Sequence, residues 1–588
     1  MGKRAAQECA FKQTGRFIFD SGNLPLPGAL LRLSYVVSNE CNSKTEKTDL
    51  RVGPDECFRM TNRIGCKWNF SGGLIVTTLT ALLVMSSSYH SWGQSLPPAD
   101  RVPADSAATV TRGGELARIY CASCHLFPEP SLLDRRTWLD QTLLRMMIRV
   151  GLAPQQVDRN PEADLIKAAR VIPNPPAISA EDYKLITAYY AATAPEEALR
   201  QDKRAPIEIG LKRFKTAVPR FRSSLAASTM IKFSTPDRKI YLGDDETGSL
   251  HVLGLGHDQV QSIPLGNVPV QMSEQAGGVY LTMIGSFMPS EKRQAALAFL
   301  EKGPDGLKPP RTILKDLPRT TDIQMADLNG DGKTDLVLTM FGNLTGRLSW
   351  FEGKGGDQFD EHVLIDKAGP VKAEIQDFNK DGRPDIAVLM AQELESLLIF
   401  SNEGKGKFTN NLVFQKHPLY GHTYFETFDF NGDGKLDFLV SNGDNGEYAS
   451  PAKNYHGIRV YQNMGNGEFN EVFFIPLNGA FKAVARDFDG DGDLDIAAIS
   501  FFPDYDKSPE ESFVYLENKG NNQFTAGTFK DHLAGRWLTM DVADIDGDGD
   551  LDILLGSHIR GPTDVPEKLM ANWEKAGPPF VLLRNTTK

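Results

Sequence analysis

Five acidic decapeptides constrain this 588-residue chain more than any other feature: DLNGDGKTDL from Asp327, DFNKDGRPDI from Asp377, DFNGDGKLDF from Asp429, DFDGDGDLDI from Asp487 and DIDGDGDLDI from Asp544. They recur every 50 to 58 residues, so the second half of the chain is an array of like units. Within each, oxygen-bearing side chains stand at positions 1, 3, 5 and 9, and glycine at position 6 makes the sharp turn. That is the ligand spacing of a calcium loop. The candidate ligands are Asp327, Asn329, Asp331 and Asp335; Asp377, Asn379, Asp381 and Asp385; Asp429, Asn431, Asp433 and Asp437; Asp487, Asp489, Asp491 and Asp495; and Asp544, Asp546, Asp548 and Asp552. One Ca2+ per loop makes about five. An EF-hand would need a glutamate at position 12 and helices on both sides. Position 12 is apolar every time, and the flanks, such as Leu336-Val337-Leu338 and Ile386-Ala387-Val388, are aliphatic runs of strand length.

Each unit continues into a further strand and a glycine-rich hairpin: LSWFEGKGGDQF, LLIFSNEGKGKF, IRVYQNMGNGEF and FVYLENKGNNQF. An outer strand completes it, and four strands per unit is the pattern of a β-propeller blade. Lys232 to Val252 and Val270 to Phe299 repeat the rhythm without the carboxylates, which brings the expected count to seven blades. The chain ends on Val581 to Asn585, in register with the third strand of a blade, so Ile207 to Ala217 is expected to return as the missing outer strand and close the ring. The decapeptides and their flanks resemble FG-GAP and VCBS repeats over roughly residues 320 to 588. The resemblance implies a β-propeller whose calcium stiffens blade turns rather than performing chemistry.

Upstream, Cys121-Ala122-Ser123-Cys124-His125 is the c-type haem attachment signature. Two thiols three positions apart can each bond one vinyl group of a haem, and the adjacent histidine can ligate the iron. The chain has six cysteines; Cys9, Cys41, Cys57 and Cys66 lie in an expected leader, leaving the haem pair alone. A helix over Gly113 to Tyr120 leads into the motif, prolines at 128 and 130 end it, an amphipathic helix runs from Asp134 to Val150, and another spans Ala180 to Tyr190. Between residues 94 and 200 the only histidine is His125 and the only methionines are Met146 and Met147, so elimination gives Met146 as the distal iron ligand, with Met147 as the alternative. This segment resembles the small cytochrome c family in its glycine-bearing helix entering CxxCH, the prolines after it and the aromatic last helix. It departs from the family in placing the distal methionine on a middle helix, and a five-coordinate iron is the other reading.

Gly73 to Met85, GLIVTTLTALLVM, is an apolar run too short to span a bilayer, preceded by the basic stretch Met60 to Lys67 and followed by small residues. It is read as a signal peptide over 60–93, cleaved after Gly93, with 1–59 a spurious extension; retention as a membrane anchor is the alternative. Losing 11 basic and 7 acidic side chains with residues 1–93 moves the net charge from −12 to −16, which does not invite nucleic acid. The expected fold class is thus multidomain: leader 1–93, a small all-α cytochrome c domain over 105–200 and an all-β seven-bladed propeller over 205–588, with no stable transmembrane segment in the mature form.

Loops expected on one propeller face run from Gly443-Asp444 through Tyr455-His456, from Pro503 to Asp506, and from Ser557-His558 through Trp573. No serine nucleophile, Rossmann or phosphate-cradling motif accompanies them. The whole resembles exported bacterial proteins in which a cytochrome c domain precedes an FG-GAP/VCBS propeller. That resemblance implies a periplasmic or cell-surface electron-transfer protein, with one covalent haem c and a redox protein or small-molecule donor or acceptor as partner. A haem-coupled dehydrogenase acting on sugars or alcohols, and a calcium-dependent adhesion or glycan-binding protein with a haem redox sensor, are the alternatives.

Overall fold

The computed structural model describes residues 33–37, 46–50, 59–61, 67–69, 106–201, 204–446, 451–561 and 565–588. Residues 1–94 and 95–588 are separate compact units. In the first, Leu33–Val37 pairs antiparallel with Glu46–Leu50, and Arg59–Thr61 with Lys67–Asn69. The apolar run 73–85 and the cleavage point expected after Gly93 lie outside the described residues. Among the described residues no helix is long and apolar enough to cross a membrane.

The second unit begins with a small all-α region. Ser106 caps the helix Ala107–Tyr120, its hydroxyl accepting the Thr109 N–H. After the CxxCH turn, Asp134 caps a helical stretch made of Arg135–Thr137, a π turn Trp138–Thr142, and Leu143–Arg149. The last helix, Ala180–Thr193, starts from Ser179 in the same way. Two short helices, Pro154–Asp158 and Ala163–Ala169, add to the three expected. They are too short to show a hydrophobic period, although Pro154 sits at a first helical position, where its missing N–H costs nothing. The first and last helices cross closely: a Cβ on Gly113 would lie 2.1 Å from the Leu185 carbonyl oxygen, and one on Gly114 3.0 Å from the Tyr189 ring. At Gly113, against backbone, only glycine permits that approach.

The rest is a propeller of seven antiparallel blades. Blade one comprises Ser228–Ser234, Lys239–Asp244, Ser249–Leu253 and Gln259–Pro264; blade two runs from Pro269 to Leu317, and blades three to five follow in strict order up to Pro476. In the five marked blades the second strand (Asp335–Met340, Asp385–Met390, Asp437–Asn442, Asp495–Ser500, Asp552–Ser557) is buried along its whole length. Neighbouring blades cover both of its faces, which is why these segments read as continuous apolar runs rather than alternating ones.

Ring closure departs from the expectation in one respect. Phe214–Ala217 pairs antiparallel with Phe580–Asn585 and supplies the outer strand of blade seven, but Ile207–Ile209 adds in parallel to the outer strand of blade six, Phe524–Thr528. The Ile207 to Ala217 segment therefore straddles the last two blades, turning at Gly210 (φ 108°). Phe214 anchors it, packing edge-on to Phe488 and Tyr515 at 6.0 and 5.4 Å between ring centres.

Innermost strands are tied by carboxylates. Asp322 of blade three accepts the Ala373 N–H of blade four at 3.0 Å, and Glu374 of blade four accepts the Thr427 N–H of blade five at 3.1 Å. Glu426 of blade five accepts the Ala485 N–H of blade six, and Asp541 of blade seven accepts the Phe233 N–H of blade one at 2.7 Å. Each carboxylate satisfies an N–H on the inner edge of the following blade, where no strand could pair with it.

Candidate functional site

The helix Ala107–Tyr120 delivers Cys121 half-buried and Cys124 exposed, both unpaired. Burial, with Cys124 nearby, pushes the Cys121 thiol up to about 11, so it stays protonated at neutral pH. His125 Nδ1 bonds the Leu126 carbonyl at 2.8 Å. With a carbonyl as partner that nitrogen must carry the proton, which leaves the Nε2 lone pair open. The chain beyond the motif is pinned from two sides: Tyr190 donates to the Pro128 carbonyl at 2.6 Å, and Trp138 Nε1 to the Pro130 carbonyl at 2.9 Å. An open recess of about 290 Å³ adjoins the motif, lined by Ala122 to Phe127 and by Gln415 of blade four.

Gln415 belongs to the propeller, so the recess lies where the two parts meet. Two residues on, His417 begins the turn Pro418–Tyr420 between blades four and five, and its ring stands edge-to-face with His125 at 5.1 Å. His417 is 8% exposed, its Nδ1 accepts the Leu419 N–H at 3.2 Å, and its Nε2 is buried with no hydrogen-bond partner. Burial, reinforced by His125, holds it down to about 3, so it is neutral. Met146 and Met147 are half-buried in the apolar cluster that also contains Cys121, Leu143, Tyr183 and Ile186. Neither lines the recess.

The loops connecting second to third strands gather on one face, as expected, but that face carries the helical region. Leu419 and Tyr455 are members of its apolar cluster. Tyr455 donates to the Leu132 carbonyl at 3.0 Å and stacks on Tyr420. Glu162 accepts from the Ser290 hydroxyl at 2.7 Å and the Glu291 N–H at 2.6 Å, and Arg204 in the connecting segment pairs with buried Glu511. Of the loop residues expected on this face, Tyr455 is thus an interface residue and His456 is buried. His558 is buried too, with Nε2 3.3 Å from Asp245 and its ring 4.2 Å from that of Phe287. Glu447 and Tyr448 lie outside the described residues.

The acidic decapeptides join first to second strands, so antiparallel alternation puts them on the opposite face. The first aspartate organises each loop: Asp327 accepts the N–H groups of Gly330, Asp331 and Gly332 at 2.8 to 3.1 Å. Positions 4 and 6 are left-handed, with Gly330 at φ 77° and Gly332 at 81°; in the second loop Lys380 takes position 4 at 59°. Third and fifth positions turn their oxygens onto loop N–H groups, as in Asn329 to Asp331 at 2.9 Å and Asp331 to Lys333 at 2.9 Å. Hydrogen bonds from Lys435 hold the Asp433 carboxyl down to about 2. In the last two loops, carboxylate oxygens of Asp487, Asp489 and Asp491, and of Asp544, Asp546 and Asp548, converge within 4.8 Å of one another.

The ninth-position aspartates are built differently. Asp335, Asp385, Asp437, Asp495 and Asp552 are fully buried, and each accepts two backbone N–H groups, one from loop position 2 and one from the end of the third strand. For Asp437 these are Phe430 at 2.8 Å and Asn463 at 2.7 Å. Burial raises all five carboxyls, Asp495 and Asp552 to about 6. The asparagine near the end of the third strand is a second device absent from the sequence reading. Asn402 donates to the Leu328 carbonyl of the preceding blade at 2.8 Å, and Asn585 to that of Phe488 at 2.7 Å. Its recurrence at 402, 463, 518 and 585 was the available signal.

A search of curated proteins finds no match. Among solved structures, the chain is similar to the N-terminal domain of Nup159 (TM-score 0.36, 12% identity, covering 66% of this chain and 99% of that one). It is also similar to the Dos1 propeller (0.34, 10%, 52% and 74%) and to the dihydro-heme d1 dehydrogenase NirN in complex with DHE (0.32, 13%, 69% and 85%). Residues 327–388, 377–440, 429–498 and 487–555 match the FG-GAP-like repeat family. Each match reaches from one acidic decapeptide into the second strand of the next blade, so blades three to seven carry FG-GAP repeats within a seven-bladed β-propeller.

Proposed function

We propose that this chain is an exported electron-transfer protein carrying one haem c on Cys121 and Cys124, with His125 as the proximal iron ligand. The observation that carries the reading is the CxxCH turn itself: two unpaired thiols and a histidine with Nε2 open, held beside a recess by Tyr190 and Trp138. The tight crossing of the glycine-bearing first helix with the aromatic last one supports it. These donors fit the group chemically. Cys121 and Cys124 would each hold the group through one thioether, an addition of S–H across a vinyl C=C that would consume no oxidant. Bound there, haem would supply a one-electron couple. The protein's own residues fix the motif, hold the His125 tautomer and shield one side with the propeller.

Calcium in the five acidic loops, ligated from positions 1, 3 and 5 and braced by position 9, would cross-link the far face of the propeller. A carrier is favoured over a dehydrogenase because the face expected to receive sugar or alcohol bears the helical region. Redox partners would then reach the haem from its open side. The test is a pyridine haemochrome spectrum of the denatured, exported protein. Wild type should retain one covalent haem, Cys121→Ser with Cys124→Ser should retain none, and a haem-free wild type would sink the reading.

A further inference from the structure

We infer that the propeller supplies the sixth ligand of the haem iron through His417, in place of Met146 or Met147; this rests on the haem reading above. Three observations converge on His417. Its ring lies 5.1 Å from that of His125, at an interplanar angle of 86°. Its Nε2 is buried without a hydrogen-bond partner, a costly state for a polar atom unless something is meant to engage it. It stands two residues beyond Gln415, which lines the recess against the motif, and its ring meets that of His125, whereas Met146 and Met147 pack in the apolar cluster of the helical region.

Two imidazoles bound trans through Nε2 to one metal, with metal–nitrogen bonds of about 2 Å, hold their ring centres roughly 6 Å apart. The observed ring centres lie about 1 Å short of that separation, so the rings would part by that much and turn both Nε2 edges toward the iron. Coordination through Nε2 requires the proton on Nδ1, so the bond from Leu419 N–H, long at 3.2 Å, is surrendered for a coordinate bond. The arrangement makes the haem a staple: its thioethers belong to the helical region and its sixth ligand to the turn between blades four and five. Elimination within residues 94–200 could not find this ligand, because it lies 292 residues beyond the proximal one.

The test uses full-length holoprotein matured in a host that attaches haem c, examined by optical and electron paramagnetic resonance spectroscopy. Oxidised wild type should be low-spin with a bis-histidine signature and no near-infrared methionine-to-iron band. His417→Ala should lose the low-spin spectrum and regain it on addition of imidazole, and His417→Met should gain the methionine band. Met146→Ala and Met147→Ala should keep the wild-type spectrum. A methionine band in wild type that vanishes in either methionine variant, or an unchanged low-spin spectrum in His417→Ala, overturns the assignment while leaving the haem in place. Absence of covalent haem from wild type overturns the haem reading and this assignment together. The wild-type spectrum needs no variant, so a variant that failed to fold would not shelter the assignment.

Discussion

Asp437→Ala should damage the propeller even when no metal is present, whereas Asp433→Ala, four positions earlier in the same loop, should not. Asp437 is fully buried and its two oxygens accept the Phe430 and Asn463 N–H groups at 2.8 and 2.7 Å. Removing the carboxylate orphans two buried donors. Each unsatisfied buried donor costs about 1–3 kcal/mol, so the loss is about 2–6 kcal/mol. Asp437→Asn keeps one acceptor and turns an amide N–H toward the other donor, and should cost about half as much. Asp433 is exposed and bonds the Lys435 N–H at 2.9 Å, a group water can satisfy instead; its loss should cost at most about 0.5 kcal/mol. The assay is amide hydrogen exchange in excess chelator, followed at Phe430 and Asn463. At about 1.4 kcal/mol per tenfold, opening of blade five should be at least roughly thirtyfold more frequent in Asp437→Ala and little changed in Asp433→Ala. If the two variants behave alike without metal, the ninth position is only a ligand and the argument for a structural clamp is wrong.

Three further outcomes can be measured directly. Phe214→Ala removes the aromatic that seats the closing strand between Phe488 and Tyr515 and should cost about 3–5 kcal/mol, lowering the denaturant midpoint; a loss under about 1 kcal/mol would mean that ring closure does not depend on it. Burial and neighbouring Lys453 keep His456 well below the usual histidine range. The unfolded chain therefore takes up a proton that the folded one refuses as pH falls below about 6.5, and stability present above that pH drops by about 1.4 kcal/mol per unit; His456→Gln should remove that slope, and an unchanged pH profile would refute it. Calcium at about 100 times its dissociation constant should stabilise the propeller by about 2.7 kcal/mol per occupied loop, so thermal unfolding that ignores both calcium and chelator would refute metal binding there.

The propeller was legible because its information is local and repeated. Five loops in one register announce the period, and a strand covered on both faces, such as Asp385–Met390, is written as an unbroken apolar run. The two unmarked blades were found from rhythm alone, and Phe214–Ala217 was placed on blade seven from the missing strand after Asn585. What escaped were pairings between distant residues of ordinary type. Nothing local marks Asp322 as a tie to Ala373, or Asp541 as a tie to Phe233, since an acidic residue on an inner strand reads equally as solvent-facing. Ile207–Ile209 could not be assigned to blade six because a three-residue strand carries no register of its own. The loop face was correctly grouped, but its contact with the helical region was not legible: Tyr455 and Leu419 present the same residue types to a neighbouring domain as they would to a ligand.

The two ends of the blades should also be functionally independent. In blade five the inner strand His422–Phe428 runs from the turn carrying His417 to the loop beginning at Asp429, and at about 3.3 Å per residue its seven residues separate them by about 20 Å. Screening at physiological ionic strength extends about 8 Å, so charge gained or lost at an acidic loop is little felt at the CxxCH motif. Coupling would have to be mechanical. The strand resists it, being hydrogen-bonded along its length to Asp437–Asn442 and clasped at Thr427 and Glu426 to the blades on either side. If the proposed haem and calcium are bound, chelation below the unfolding temperature should therefore leave the haem spectrum unchanged while lowering that temperature. If the spectrum changed first, at calcium levels that leave strand exchange untouched, the metal loops would be part of the redox site rather than its foundation.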